Sequence, residues 1–220
     1  GKLVDKSNKV VINSPETLKA LEYGKELYAN FIPGTLSWLD PSNNKAFLDG
    51  QISVTNNGIS IYVAAKNSQD PKVKAMADDI YHANFPVGPV GVPTESHLFF
   101  NQMVMKYTKY PNAAKEFLRF MMEREQFDNW LIGAAGYVAQ PLAAYESCSI
   151  WTSDPKNTAY RDAVKNMRPT GYDGKLGYAS AGAGADFIVA NMVAEAISGS
   201  KTPQEAMERA AKRAERYYKV

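Results

Sequence analysis

The chain has 220 residues, 45% of them hydrophobic and 11% aromatic, which is enough apolar surface to bury a core and excludes an intrinsically disordered chain. Its formal charge is only +2 and acids and bases are interleaved, so the broad cationic footprint of a nucleic-acid or anionic-membrane binder is missing. The single cysteine, Cys148, excludes an intrachain disulfide, a thiolate zinc cluster and a Cys-x-x-Cys redox pair, and no stretch approaches the roughly 20 apolar residues of a membrane span.

At this length one large domain or two small lobes are open. The amino terminus GKLVDKSNKV has no signal-peptide hydrophobic region, so an exported protein would be represented here by a mature or shortened chain. Ser14-Pro15-Glu16 reads as a helix start, with a capping hydroxyl, proline at the first helical position and an acid in the first turn; Leu18, Leu21 and Leu27 follow, and the helix should end near Phe31. Residues 32–41 are loop-like and carry Trp38 and Asp40. Residues 44–48 suggest a short helix stopped at Gly50. Residues 52–56 and 59–64 are rich in β-formers and are broken by Asn56-Asn57-Gly58, which predicts a strand pair. Asp70-Pro71 opens a helix to about Ile80.

In residues 85–93, FPVGPVGVP, proline and glycine exclude regular structure, and 98–105 is apolar enough for a buried strand. In the segment YPNAAKEFLRFMMEREQFDNWLIGAAGYVAQP, residues 110–141, Pro111 and Asn112 open a helix striped by Ala114, Phe117, Leu118 and Met121. Residues 125–132 form a second helix with Phe127, Trp130 and Leu131, stopped by Gly133 and Gly136. Asp154-Pro155 caps a helix to about Met167, and residues 168–184 read as a long polar, glycine-rich loop. Residues 186–197 are helical, Gly199 closes them, and Thr202-Pro203-Gln204-Glu205 is a capping box leading to Tyr218. Lys212, Arg213, Arg216 and Lys219 share that last helix with Glu205, Glu208 and Glu215, the pattern of a solvated face.

Catalytic signatures are weak. His82 and His97 have no ligand spacing, so no metal and no cofactor are expected. Gly177 to Gly182 places one residue too many before Ser180 for a nucleophile elbow, and Gly182-Ala183-Gly184 lacks the third glycine and preceding strand of a dinucleotide loop. Loop aromatics carry more information. Trp38, Tyr137, Tyr172 and Tyr178 offer an apolar face with a hydrogen-bonding edge, suited to sugar-like ligands. Phe117, Phe120, Phe127 and Trp130 lie at helical spacing and read as core, with Met103, Met105, Met121 and Met122 as filler.

In order and spacing, residues 110–141 resemble the Ala-Ala-x-Glu-Phe-Leu-x-Phe segment, with its later Glu, Gln, Gly and Pro, of the family 1 extracellular solute-binding proteins. These are the receptors of ABC importers that include the maltose- and glycerol-phosphate-binding types, and the resemblance extends over nearly the whole chain. It implies an α/β, periplasmic-binding-protein-like (type II) second lobe plus a helical segment of the first lobe, truncated relative to the family. Residues 1–84 would be the second lobe's first part, 85–93 the hinge or crossover, 94–140 a return segment of the first lobe, and 141–220 the second lobe's second part. Phe47, Gly50, Val54 and Gly58 match an element that brings a turn to the cleft, which makes Asn57, Gly58 and Ser60 ligand-binding candidates.

By the same resemblance Trp38 and Asp40 match a loop that often contacts solute, and Glu95, Ser96 and His97 match a strand entry facing the cleft. Tyr137 follows the turn glycine, with a longer spacing from Gly136 to Pro141 than the common pattern. Tyr178 to Asp186 match the place where maltose-type receptors present an aromatic residue, although Ala185 and Asp186 stand there in this chain. The implied function is capture of a small polar solute, a sugar or sugar-like molecule, for a membrane permease, without catalysis, in the periplasm or outside the cell. Residues 92–140 match part of a lobe whose main sheet has no counterpart in this sequence, so they should leave an apolar patch of Leu98, Phe99, Phe100, Phe117 and Trp130 open to self-association. A sensory or scaffold module, and a carbohydrate-active enzyme using Asp40 or Asp186 as an acid, are the alternative classes.

Overall fold

The computed structural model describes residues 1–96, 101–168 and 173–219. Helices dominate. In chain order they are α1 (Pro15–Tyr28), α2 (Ser42–Leu48), α3 (Ser60–Lys66), α4 (Pro71–Asp79), α5 (Pro111–Met121) and α6 (Arg124–Gly133), followed by α7 (Ser149–Thr152), α8 (Thr158–Asn166), α9 (Tyr178–Ala185), α10 (Ile188–Ile197) and α11 (Pro203–Ala214). Short 3-10 turns occupy Thr35–Ser37, Ala143–Tyr145 and Pro155–Asn157, and the strands among the described residues are β1 (Glu95–Ser96) and β2 (Met167–Arg168). The chain divides into two compact units: Gly1–Asp40 with Arg168–Val220, and Pro41–Met167.

The first unit is built from α1, α9, α10 and α11. Ser14 caps α1 by accepting the Thr17 N–H at 3.3 Å, and Pro15 follows at the first helical position. Thr202 caps α11 in the same way, accepting the Glu205 N–H at 3.2 Å while the Glu205 carboxylate accepts the Thr202 N–H at 2.8 Å. The core comes from Ile188, Met192 and Ala196 of α10 and Ala206, Met207, Ala210 and Ala214 of α11, with Leu21 of α1. Each set recurs at helical spacing. Alanine at most of the buried α11 positions lets neighbouring backbones approach closely.

The second unit has two apolar clusters. Ile59, Ile61, Tyr62 and Ala65 of the α3 region pack with Ala77 and Ile80 at the end of α4, and Phe127 and Leu131 of α6 pack with Tyr145, Cys148 and Trp151. Tyr160 of α8 touches both clusters, and burial pushes its phenol up to about 12.

Three expectations of secondary structure need correction. The strand pair at 52–56 and 59–64 is not formed: the first segment is irregular and the second begins α3. Ile59, Tyr62 and Ala65 are buried at intervals of three, so burial beside α4 overrides the β-forming composition. The glycine-rich loop at 168–184 ends early, because α9 begins at Tyr178, where the Ser180 hydroxyl donates to the Gly177 carbonyl and accepts its N–H, both at 2.9 Å. For the strand at 98–105, residues 101–105 have no regular structure, and residues 97–100 lie outside the described residues.

Of the aromatic residues expected in the core of α5 and α6, only Phe127 is buried. Phe117 is 59% exposed, Phe120 45% and Trp130 40%, and α5 buries no residue. Residues 85–93 are irregular, as proline and glycine require, and the helices from Ser14, Asp70, Pro111, Asp154 and Thr202 all form.

Candidate functional site

An open concavity in the second unit lies between α3 and the turn after α6. Three asparagines outside the cavity lining fix the segment that leads into α3. Asn43 on α2 donates to the Thr55 hydroxyl at 3.2 Å, and Asn44 donates to the Ser60 hydroxyl at 2.9 Å, so the short helix holds both ends of the irregular 55–60 segment. Asn57 donates to the same Ser60 oxygen at 3.0 Å. Ser60 thus sits half-buried with two amide donors fixing its position.

The opposite wall depends on glycine. Gly136 has φ of +74°, and a Cβ there would stand 3.2 Å from Ile59 Cδ1 and 3.3 Å from Trp151 Cζ3. A side chain would be strained by the backbone and crowded by two core residues. This close approach lays residues 133–137 beside α3. Between them is an open cavity of about 500 Å³, lined by Ser60, Val63, Ala64 and Asn67 on one side and by residues 133–135 and Tyr137 on the other. None of these side chains is an acid or a base.

Two other α3 side chains, outside the cavity lining, engage a carboxylate. Tyr62 donates its hydroxyl to Asp154 at 2.5 Å, and Lys66 reaches the same carboxylate oxygen at 3.3 Å. Burial alone would raise the Asp154 carboxyl, but the hydrogen bonds from Tyr62, the Lys156 N–H and Lys66 outweigh it and hold the group below the usual carboxylate range. Burial, with the neighbouring Asp154 carboxylate, pushes the Tyr62 phenol up. His82 is packed edge-on against Tyr62 and Tyr160 and donates from Nδ1 to the Lys156 carbonyl at 2.8 Å, a packed structural role.

Of the residues singled out in the sequence, Ser60 and Tyr137 come together as walls of this cavity, and Asn57 orients Ser60. Gly58 is exposed in the same segment. Glu95 lies at β1, where its carboxylate accepts the Asn84 amide at 2.8 Å. His97 and Tyr172 lie outside the described residues.

The remaining candidates belong to the first unit. Trp38 is half-buried at the end of the Thr35–Ser37 turn, and Asp40 is exposed. Tyr178 is fully exposed at the first position of α9 and Asp186 caps its other end, so the helix separates them by roughly 12 Å. Arg213 grips both Asp186 carboxylate oxygens, at 2.8 and 3.2 Å, and the Asp186 carbonyl at 2.6 Å. Those bonds hold the carboxyl below its ordinary range. An acid so engaged is poorly placed to protonate a substrate. Among the described residues no group of His, Cys, Asp and Glu side chains has metal-site geometry, and no helix is long and apolar enough to cross a membrane.

Asn44 escaped the sequence reading. Its signal was available in the paired Asn43-Asn44 and Asn56-Asn57, whose short amides suit the pinning of an irregular segment.

Comparison with known proteins agrees with this architecture. The sequence profile of the bacterial extracellular solute-binding protein family matches residues 1–159. Among solved structures, maltose-bound MalE3 of T. maritima superposes with a TM-score of 0.70 at 20% identity, covering 98% of this chain and 54% of that one. That likeness establishes a shared periplasmic-binding-protein fold, of which this chain spans about half the neighbour's length. A search of curated proteins gives no match. With the profile covering more than half of its residues, the chain belongs to the bacterial extracellular solute-binding proteins.

Proposed function

We propose that the chain is the solute-binding part of an ABC import receptor that captures a small, uncharged, sugar-like molecule and presents it to a membrane permease, in the periplasm or outside the cell. The observation that carries this reading is the cavity of about 500 Å³ with a hydroxyl, an amide, a phenol and apolar walls but no charge. A phenol face and neutral hydrogen-bonding groups suit a polyol, whereas a phosphate or polyamine would call for a counter-charge. The fold neighbour was solved with maltose, which supports sugars as the first class to try. In this reading residues 1–84 and 141–220 belong to the second lobe, 85–93 cross over and 94–140 return to the first. Trp38, Asp40, Asn57, Gly58, Glu95, His97, Tyr178 and Asp186 are further candidate contacts beside Ser60 and Tyr137.

Binding without chemistry fits the carboxylates. Asp186 is committed to Arg213, and no nucleophile and base pair faces the cavity. Calorimetry with maltose, glucose, trehalose and glycerol 3-phosphate tests the reading. A neutral sugar should bind, Tyr137→Ala should weaken it about tenfold, and no sugar should be turned over. Tight binding of glycerol 3-phosphate with no sugar response would overturn the assignment. Residues 92–140 also support self-association, because α5 is amphipathic yet unburied; a mass that rises with concentration in light scattering is the expected sign.

A further inference from the structure

The Ser60 hydroxyl is held in an unusual balance. Its oxygen has two lone pairs and one proton, and the Asn44 and Asn57 amides donate to that oxygen from 2.9 and 3.0 Å. Both acceptor directions are therefore filled from the protein side. The proton takes the remaining tetrahedral direction, for which no acceptor is present among the described residues, and Ser60 is itself a wall of the cavity.

We infer that Asn44 is a positioning residue that, together with Asn57, makes Ser60 a donor only, so that this contact takes a solute acceptor oxygen, such as that of a hydroxyl or an ether, and not a solute donor. This rests on the solute-receptor reading and deepens it by naming the hydrogen-bond polarity of one contact. A lone serine is ambivalent, accepting or donating as its partner requires. Two amides on one hydroxyl remove that freedom before the solute arrives, so no reorientation is needed on binding. Asn44 stands on α2 and acts only through Ser60.

The test is a double-mutant cycle on affinity for the tightest binder among maltose, glucose and trehalose, with circular dichroism and unliganded melting recorded for every variant. Ser60→Ala removes the donor and should weaken binding about tenfold. Asn44→Asp replaces a donating amide with a carboxylate that accepts the Ser60 proton, turning it away from the cavity, and should cost about as much. The double variant should then bind no more weakly than Ser60→Ala alone, because Asn44 has nothing left to orient. If Asn44→Asp fails to fold, Asn44→Ala serves in the same cycle with a smaller loss of about threefold. Additive losses would overturn the inference and leave Asn44 a fold-holding residue. Unchanged affinity in Ser60→Ala would also overturn it, while leaving the receptor reading intact. If none of the sugars binds the unaltered chain, that reading falls and the inference falls with it.

Discussion

Helices α5 and α11 are nearly the same length, 11 and 12 residues, both begin with proline at the first helical position, and both are strongly amphipathic. Their fates differ. In the first unit α11 buries Ala206, Met207, Ala210 and Ala214 against α1 and α10, whereas in the second unit α5 buries none of its residues and exposes Phe117 and Phe120. An apolar stripe records which face of a helix seeks burial. Whether a partner is present to cover that face is a tertiary fact, and sequence periodicity does not contain it.

The largest expected effect contrasts these two stripes. Met207, 1% exposed, should cost about 2–5 kcal/mol on truncation to alanine, through lost transfer energy and the cavity left behind. Phe117→Ala should stay within about 0.5 kcal/mol, as an exposed position does. Urea denaturation of both variants checks this, and equal losses would break the comparison. Next comes the turn that shapes the cavity. Gly136→Ala should lose about 1–2 kcal/mol from its positive φ and its contacts with Ile59 and Trp151. It should also lower sugar affinity by moving Tyr137.

A smaller effect separates the two helix starts. Thr202→Ala removes a cap and should cost about 1 kcal/mol, whereas the Tyr110 side chain makes no capping bond to α5, so Tyr110→Ala should leave the helix start unchanged. Thermal denaturation of the two variants distinguishes them. The smallest effect is electrostatic. Hydrogen bonding from Arg161, opposed by desolvation and reinforced by Lys165, lowers the Asp162 carboxyl to about 2. A carboxyl depressed on folding stabilises the native state above its unfolded value near 4 and loses that contribution as pH falls toward 2. Asp162→Asn should therefore cost a small amount of stability at pH 7, as a partly exposed ion pair contributes little, and nothing near pH 2, which flattens the acid limb between about pH 4 and pH 2.

The helix starts were legible because their chemistry is local. Ser14 with Pro15, Asp70 with Pro71, and the Thr202–Glu205 box each write the cap and the first turn within four residues. The α3 segment was misread because isoleucine, tyrosine and valine satisfy a strand pattern as well as a helical one, and the burial that decides is supplied by α4 and Tyr160. For α9 the glycines concealed the helix. Gly182 lies where a Cβ would come within 2.5 Å of the Tyr217 ring, so there glycine marks close packing and not a loop.

The candidate site was half legible. Ser60 and Tyr137 could be named from the family pattern, but their meeting depends on Gly136 approaching Ile59 and Trp151 across the second unit. The commitment of Asp186 to Arg213, 27 residues away, was likewise invisible in spacing, because the pair meets only through the turn between α9 and α10 and the packing of α11.

Where a solute sits on the second unit decides the matter. Amide chemical-shift mapping of the isotope-labelled chain during titration with maltose, and with glucose and trehalose in parallel, tests it most directly. Saturable shifts concentrated at residues 57–64 and 133–137, and lost in Tyr137→Ala, are the expected result. Saturable shifts confined to the charged face of α11, or a titration with these sugars that moves no resonance, would contradict it.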